Sequence, residues 1–451
     1  MTSATYDFAW RIAIDVVGPL EGHHHEAYAV ELGPDSDPVL RAQFPWLKLR
    51  VPLAHVVRYD HRCFRSEEEL LVDLEGKIQR VPKVVDLGRD ADAPANVTFV
   101  QFVKGLTLEN VTPPHMRVSR RHAAQIIDLF RALASVDPAE IRAERICGNG
   151  PSLSGAFPRS GGDAATFLRN LIRHTARVYR EKPSDLNSLF SDLRIPDDLL
   201  DRLPDELGPM TPRPFALLHG DLHRRNLVVD DAWDLWAIDW ELARVGDPLY
   251  DLATHLHLMQ YPRWQAAHMT WRWVRAMKKC LPDAVHGVSE DLPRYLAFKR
   301  IQSAYTDLMR GAAKLATSVA GGTGLLEALD CVVPAVTASL TAARLGEDGT
   351  GLGNVGLREV ASPEEVRRAL TTWYVAHGAA RGHSSTGASV QGAVEGAAPE
   401  ALVGSRGALH PGAAAAVDLE DPMGMAQGRM ERTEHSGCVV VHSGHVMPGT
   451  N

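Results

Sequence analysis

Between Leu218 and Ala253 the chain reads LHGDLHRRNLVVDDAWDLWAIDWELARVGDPLYDLA, and its polar residues fall at spacings that could do chemistry. His219, Asp221 and Asn226 form an H-x-D-x-x-x-x-N pattern, and Asp239 follows after an apolar run. A carboxylate within hydrogen-bond reach of a hydroxyl can orient it and accept its proton late in a displacement. An amide oxygen and a second carboxylate can hold a magnesium ion, which neutralises phosphate oxygens. These are the main protein contributions that phosphoryl transfer requires. Asp221 is therefore the candidate base, and Asn226 and Asp239 are the candidate metal ligands.

Those residues need elements to aim them. Phe215–Leu218 is a short apolar run suited to a buried strand that delivers His219 and Asp221 to its end. Leu227–Val229 and Leu235–Ile238 read as two strands around a turn at Asp230-Asp231, the second leading into Asp239. Asp247 fits a helix start ahead of Pro248. His219 reads as a partner that fixes the loop, Glu241 as a local backbone ligand, and His223, Arg224 and Arg225 as solvated loop charges.

The three blocks HGDLHRRN, IDWE and GDPLYDLA resemble the aminoglycoside phosphotransferase and choline kinase superfamily, relatives of the protein kinases. That superfamily carries H-G-D-x-x-x-x-N, then I-D-[FW]-E in place of D-F-G, then G-D-P-x-x-D-L-A. The resemblance implies Asp221 as base, Asn226 and Asp239 as metal ligands, and Asp247 and Asp251 as residues that brace the site. It implies ATP and Mg²⁺ as cofactors and the hydroxyl of a small molecule as acceptor. It also implies a bilobal, protein-kinase-like α+β fold.

The rest of the chain is read against that expectation. Trp10–Val17, Glu26–Leu32, Trp46–Val51 and Thr98–Val103 read as strands, and SEEELLVDLEG as a helix capped by Ser66. From Val118 onward apolar residues recur at three and four spacing, giving helices over 163–180, 266–280 and 292–315. Leu325–Leu345 and Pro363–Ala376 follow as helical segments. A small β-rich lobe over residues 1–105 and a larger, mostly helical lobe over 106–376 result, with a Gly/Ala-rich, disordered tail over 377–451.

By resemblance, the small lobe contributes the nucleotide site. Lys48 and Arg50 share one face of the third strand, and Lys48, directly after the apolar run, is taken as the phosphate-binding lysine. Its partner is taken as Glu67, with Glu68 the neighbour able to displace it. Gly18 and Gly22 in GPLEG stand where a phosphate-covering loop would be, although the segment is not G-x-G-x-x-G. Backbone groups of Gln101 and Val103 are expected to hold adenine. For the acceptor, His255, His257, Gln260, Tyr261 and Trp264 are candidate pocket residues.

Composition narrows the classes. Hydrophobic residues at 45% and charged residues at 23% describe an ordinary globular chain. A formal charge of −8 argues against a nucleic-acid partner. The N-terminus lacks a basic n-region, and no run of about 18 apolar residues is found, Val332 to Leu340 being short and interrupted by Pro334, so neither a signal peptide nor a membrane partner is expected, and a cytoplasmic location follows. The five cysteines show no C-x-x-C or His-paired spacing, so no zinc site or disulfide framework is anticipated. Choline, homoserine and sugar derivatives stay open as acceptors. A protein kinase is disfavoured by the absence of D-F-G and A-P-E, and a pseudokinase by the intact Asp221, Asn226 and Asp239.

Overall fold

The computed structural model describes residues 3–378 apart from 21–24, 35, 54–58, 61, 88–92, 95, 147–162 and 345–355. The segment read as a tail therefore lies almost wholly outside the described residues, as does Gly22. The described residues belong to one compact unit, Met1–Gly392.

Strands β1 (Ala13–Val17), β2 (His25–Leu32), β3 (Trp46–Pro52), β4 (Val84–Val85) and β5 (Thr98–Gln101) form one antiparallel sheet in the order β1-β2-β3-β5-β4. Helix α1 (Ala4–Ile12) precedes the sheet and corrects the expected strand at 10–17, which begins only at Ala13. Ser3 explains the difference, because its side chain caps the helix by accepting the Tyr6 N–H. Helix α2 (Pro38–Gln43) leads into β3, and α3 (Glu67–Leu74) follows with Ser66 accepting the Glu69 N–H as expected.

Strand β6 (Leu106–Thr107) and helix α4 (Leu108–Val111) carry the chain out of the sheet. The larger part is built from α5 (Arg120–Ser135), α6 (Ala164–Arg180), α7 (Leu186–Asp192), α8 (Leu199–Leu207), α9 (Pro248–Met259), α10 (Arg263–Cys280), α11 (Val288–Ala320), α12 (Leu325–Ala342) and α13 (Pro363–Trp373). Set among these helices are the strands that hold the catalytic segment. Strand β7 (Ala216–Leu218) pairs with β10 (Arg244–Gly246), while β8 (Leu227–Val229) pairs with both β6 and β9 (Leu235–Ala237). An antiparallel sheet followed by a helical lobe is the bilobal, protein-kinase-like α+β arrangement.

Two apolar cores divide the structure unevenly. Phe8, Tyr28, Val30, Leu47, Leu49 and Phe99 pack within the sheet lobe. Leu70, Leu71 and Leu74 of α3 instead join the core that contains Leu108, Ile126 and Leu222. Helix α3 thus rides with the helical lobe, and so it can carry a side chain to the catalytic segment.

Two sequence expectations change here. Cys63 is disulfide-bonded, although the scattered cysteines gave no sign of it, because pairing depends on spatial and not sequential distance. Helix α12 has the length and hydropathy of a membrane span. It packs on α11, with Val332 and Val336 closing against Gly311, through one buried face that also includes Ala328, Leu329, Val333 and Leu340.

Candidate active site

The catalytic loop leaves β7 at His219, which is fully buried. Its Nε2 lies 3.2 Å from the Ile238 carbonyl, and its Nδ1 accepts the Asp221 N–H at 3.4 Å. Burial lowers its pKa to about 4, so the ring is neutral, with the proton on Nε2. His219 therefore ties the loop to the segment that carries Asp239, which agrees with its reading as a loop-fixing partner.

Gly220 makes the turn possible. Its φ is +79°, and a Cβ there would stand 2.4 Å from the Leu242 carbonyl oxygen. Its N–H donates to Asp251 Oδ1 at 2.8 Å, and the His219 N–H donates to Asp251 Oδ2 at 3.1 Å. One buried carboxylate on α9 thus holds two consecutive loop amides. Asp247 braces at one remove: it caps α9 through the Leu249 N–H and accepts from Arg213 and Tyr295.

Asp221 is partly exposed, with about a quarter of its side chain accessible. Burial raises its pKa, but His223, His219 and Lys299 outweigh that effect and hold it at about 2. His223 Nδ1 accepts the Arg225 N–H, which leaves the proton on Nε2, 3.4 Å from Asp221 Oδ2. His223, read from sequence as a solvated loop charge, is thus the immediate partner of the candidate base. Only its two-residue offset from Asp221 hinted at this.

Asn226 donates its amide to the Asp221 carbonyl at 3.0 Å and to Asp221 Oδ2 at 3.1 Å. Both contacts are to acceptors, so the amide orientation is fixed and Oδ1 points the other way. Asp239 follows β9 in a left-handed conformation, φ +65°. Its side chain is open to the cleft, yet burial of its surroundings and the charges of Glu67, Glu241 and Asp221 push its pKa up to about 7. Lys48 is the nearby cation that opposes this. Asn226 and Asp239 are the pair that could hold a divalent cation. Among the described residues no three His, Cys, Asp or Glu side chains converge as a complete metal site.

The expected Lys48–Glu67 pair is replaced by another. Arg50 Nη1 donates to Glu67 Oε2 at 2.6 Å, and its Nη2 donates to Glu68. A planar guanidinium can serve two carboxylates with two arms, which a single ammonium cannot do in this geometry. The second oxygen of Glu67 accepts the Trp240 N–H at 3.0 Å. Glu67 therefore joins β3 to the residue after Asp239, and Lys48 stays outside that pair, its charge acting on Asp239.

Other candidates fall as follows. Gly18 ends β1 with φ +148°, and the Leu20 N–H bonds the Ala27 carbonyl at 2.7 Å, folding the loop back on β2. The Gln101 N–H is committed to the Lys83 carbonyl at 2.7 Å, and the Phe102 N–H to that of Trp46 at 3.2 Å. The Gln101 carbonyl and Val103 N–H are the groups that the adenine reading uses. Arg224 is not solvated: it is buried, and its guanidinium donates to the carbonyls of Met259, Thr112 and Met116. Arg225 pairs with Glu109 at 2.6 Å.

Two of the pocket candidates turn inward as scaffold. Buried His255 bonds the Leu222 carbonyl at 2.8 Å and the Tyr261 hydroxyl at 3.0 Å, bracing the catalytic loop from behind. Sequence reading missed Lys299 of α11, which is buried and donates to Gln302 Oε1 at 2.7 Å. It is one of the cations that act on Asp221.

A base between two lobes, held by a kinase-like loop, defines a phosphotransferase class. Residues 20–279, more than half of the chain, match the phosphotransferase enzyme family APH, and the chain belongs to that family. It is 27% identical over 134 residues to a protein named LicA homolog of Mycoplasma capricolum, a match that spans 28% of this chain and 54% of that protein. Among solved structures, it is similar to a choline kinase of Cryptosporidium parvum at 13% identity and TM-score 0.41, covering 66% of this chain and 83% of that one. It is also similar to a macrolide 2'-phosphotransferase of Brachybacterium faecium at 16% identity and TM-score 0.39, covering 73% and 96%.

Proposed function

We propose that this chain transfers the γ-phosphate of ATP to a hydroxyl of a small molecule, with Mg²⁺, in the manner of the aminoglycoside phosphotransferases. The observation that carries the reading is the geometry of Asp221: its carboxylate is partly exposed, 3.1 Å from the Asn226 amide and 3.4 Å from His223 Nε2. It would orient the acceptor hydroxyl and take its proton.

Asn226 and Asp239 would hold the magnesium ion. An amide oxygen and one carboxylate suit Mg²⁺, which completes its octahedron with phosphate oxygens and water. The concentration of carboxylates around Asp239 is consistent with a site that needs a cation to be at ease. Lys48, whose charge acts on Asp239, would meet the phosphates together with Gly18, and the Gln101 carbonyl and Val103 N–H would hold adenine. Glu67 would act through Arg50 and Trp240 and not by touching nucleotide.

A metabolite such as choline, homoserine or a sugar derivative is the second reading of the acceptor. An antibiotic acceptor would make the chain a resistance enzyme. The working compartment proposed is the cytoplasm. ADP release across a panel of hydroxylated cationic and sugar acceptors tests the activity. Asp221→Ala is expected to reduce turnover by about 10²–10⁴-fold. Turnover unchanged in that variant would remove Asp221 from the role, and phosphate appearing on protein would favour a protein kinase.

A further inference from the structure

Helix α10, RWQAAHMTWRWVRAMKKC, contains no acidic residue, although the whole chain carries −8. Its buried side, Gln265, Met269, Trp273, Ala276 and Met277, packs inward. On the opposite side Trp264, His268, Trp271, Arg275 and Lys279 are exposed at spacings of three and four, so they form one stripe along the helix. Eighteen residues give that stripe a length of about 27 Å.

Two tryptophans stand in the open, Trp264 at 57% and Trp271 at 52% exposure. A large aromatic at that exposure is costly to hydrate, and two on one face call for a partner. Each is associated with a cation. Arg275 lies 4.7 Å from the Trp271 ring centre, and Arg117 lies 5.8 Å from that of Trp264. His268 stacks on Trp271 with centroids 5.7 Å apart. Met116, exposed beside Arg117, and Arg120 at the start of α5 extend the basic, apolar surface. The acids nearest in sequence and packing are Asp234, which pairs with Arg121 at 2.8 Å, Asp283, beside His286, and Asp128, paired with Arg131.

Tryptophan rings prefer the headgroup level of a bilayer, where the indole is half in hydrocarbon and its N–H remains hydrated. Lysine and arginine on the same helix face add attraction to anionic lipid. A basic helix with aromatic anchors lying in the interface plane satisfies both. The stripe is a helix surface and not a groove, and the surface cavities of about 760 and 470 Å³ are lined by residues outside α10. That shape suits a flat lipid surface better than a single strand of nucleic acid, which needs a channel.

We infer that the exposed face of α10, with Arg117, docks this enzyme on an anionic bilayer surface. Arg224, in the loop that carries Asp221, donates to the carbonyl of Met116, which is exposed beside Arg117. Such docking on a bilayer departs from the expectation of no membrane partner. That expectation rested on a leader and a spanning segment, and an interfacial helix needs neither.

Co-sedimentation of the full chain with phosphatidylcholine vesicles containing about one-third phosphatidylserine tests this, against vesicles of phosphatidylcholine alone. The expected result is binding to the anionic vesicles with a blue shift of tryptophan emission, weakening as salt rises. Trp264→Ser with Trp271→Ser, and separately Arg275→Glu with Lys278→Glu and Lys279→Glu, should each lower partitioning by about tenfold or more. Circular dichroism checks that each variant is folded, and because these side chains are exposed the two variants fail independently. Equal binding to neutral vesicles, no binding to anionic ones, binding undiminished in both variants, or a preference for a single-stranded oligonucleotide would each overturn the proposal. The activity reading stands or falls separately, by ADP release in the absence of lipid.

Discussion

Glu67 Oε1 accepts the backbone N–H of Trp240 at 3.0 Å, while its Oε2 is held by Arg50. The contact crosses from α3 to the turn that presents Asp239, so the position of one carboxylate depends on another that does not itself face substrate. It also explains why the two basic residues of β3 are not equivalent. Arg50, 4% exposed, is spent on structure, and half-buried Lys48 remains near Asp239.

The two cations should therefore separate in experiment. Arg50→Met leaves buried Glu67 without its cation, and the loss of one side of a buried pair costs about 3–5 kcal/mol. Lys48→Met should leave stability within about 1 kcal/mol and raise the KM for nucleotide instead. Urea unfolding and ADP-release kinetics on both variants check this. If Lys48→Met proves the more destabilising, the assignment is reversed.

Asp239 gives a pH dependence with a definite sign. Its folded pKa, about 7, lies above the ordinary carboxylate value of 3.8, so the metal-free native state binds this proton more tightly than the unfolded chain does. Between those values stability must fall as pH rises. Cation binding requires the ionised form, so Mg²⁺ affinity should weaken by about tenfold per unit as pH falls below about 7. Asp239→Asn should flatten the stability profile and abolish the pH-dependent part of Mg²⁺ binding, as calorimetry across this range would show.

How much of this was legible in the sequence follows from the range of each interaction. The loop from His219 to Asn226 and the turn at Asp239 could be read directly, because their partners lie within the same forty residues. Asp247 and Asp251 were legible as braces, and the structure gives each its bonds. Arg50 could not be chosen over Lys48, because parity puts both on one face and only the depth beneath β3 distinguishes them. Arg224 was misread because its three carbonyl partners come from separate segments. His223 was misread because a histidine two residues from an aspartate has no obligatory contact with it; the turn at Arg224–Asn226 creates one.

Gly220 offers a test of the loop itself. Alanine there must hold φ near +79°, which costs about 1–2 kcal/mol, with its Cβ 2.4 Å from a backbone oxygen that cannot swing aside. Gly220→Ala is expected to destabilise by more than that strain alone and to lower turnover, since the next residue is Asp221. Chemical unfolding with ADP release decides it. An active, stable Gly220→Ala would mean that the loop has room to relax.

His223 supplies a prediction in which the sign differs from that of Asp239. Its folded pKa is raised above the ordinary imidazole value of 6.5: burial lowers it, and the hydrogen bond and charge of Asp221 more than compensate. A raised pKa contributes stability that is fully present below the unfolded value and is lost as pH rises through the folded one. Asp221, depressed to about 2, contributes stability that is present above about 3.8 and is lost as pH falls through about 2. The pair is therefore worth most between about pH 4 and 6.5, where both groups are charged. With each side chain about a quarter accessible, the contribution should be of the order of 1 kcal/mol, near the upper end for solvent-reached pairs. His223→Ala should lose that amount near pH 5 and much less near pH 9, measured by urea unfolding of the metal-free chain. A deficit that is the same at both pH values would show that His223 acts by packing, and that its charge is not what holds Asp221 ionised.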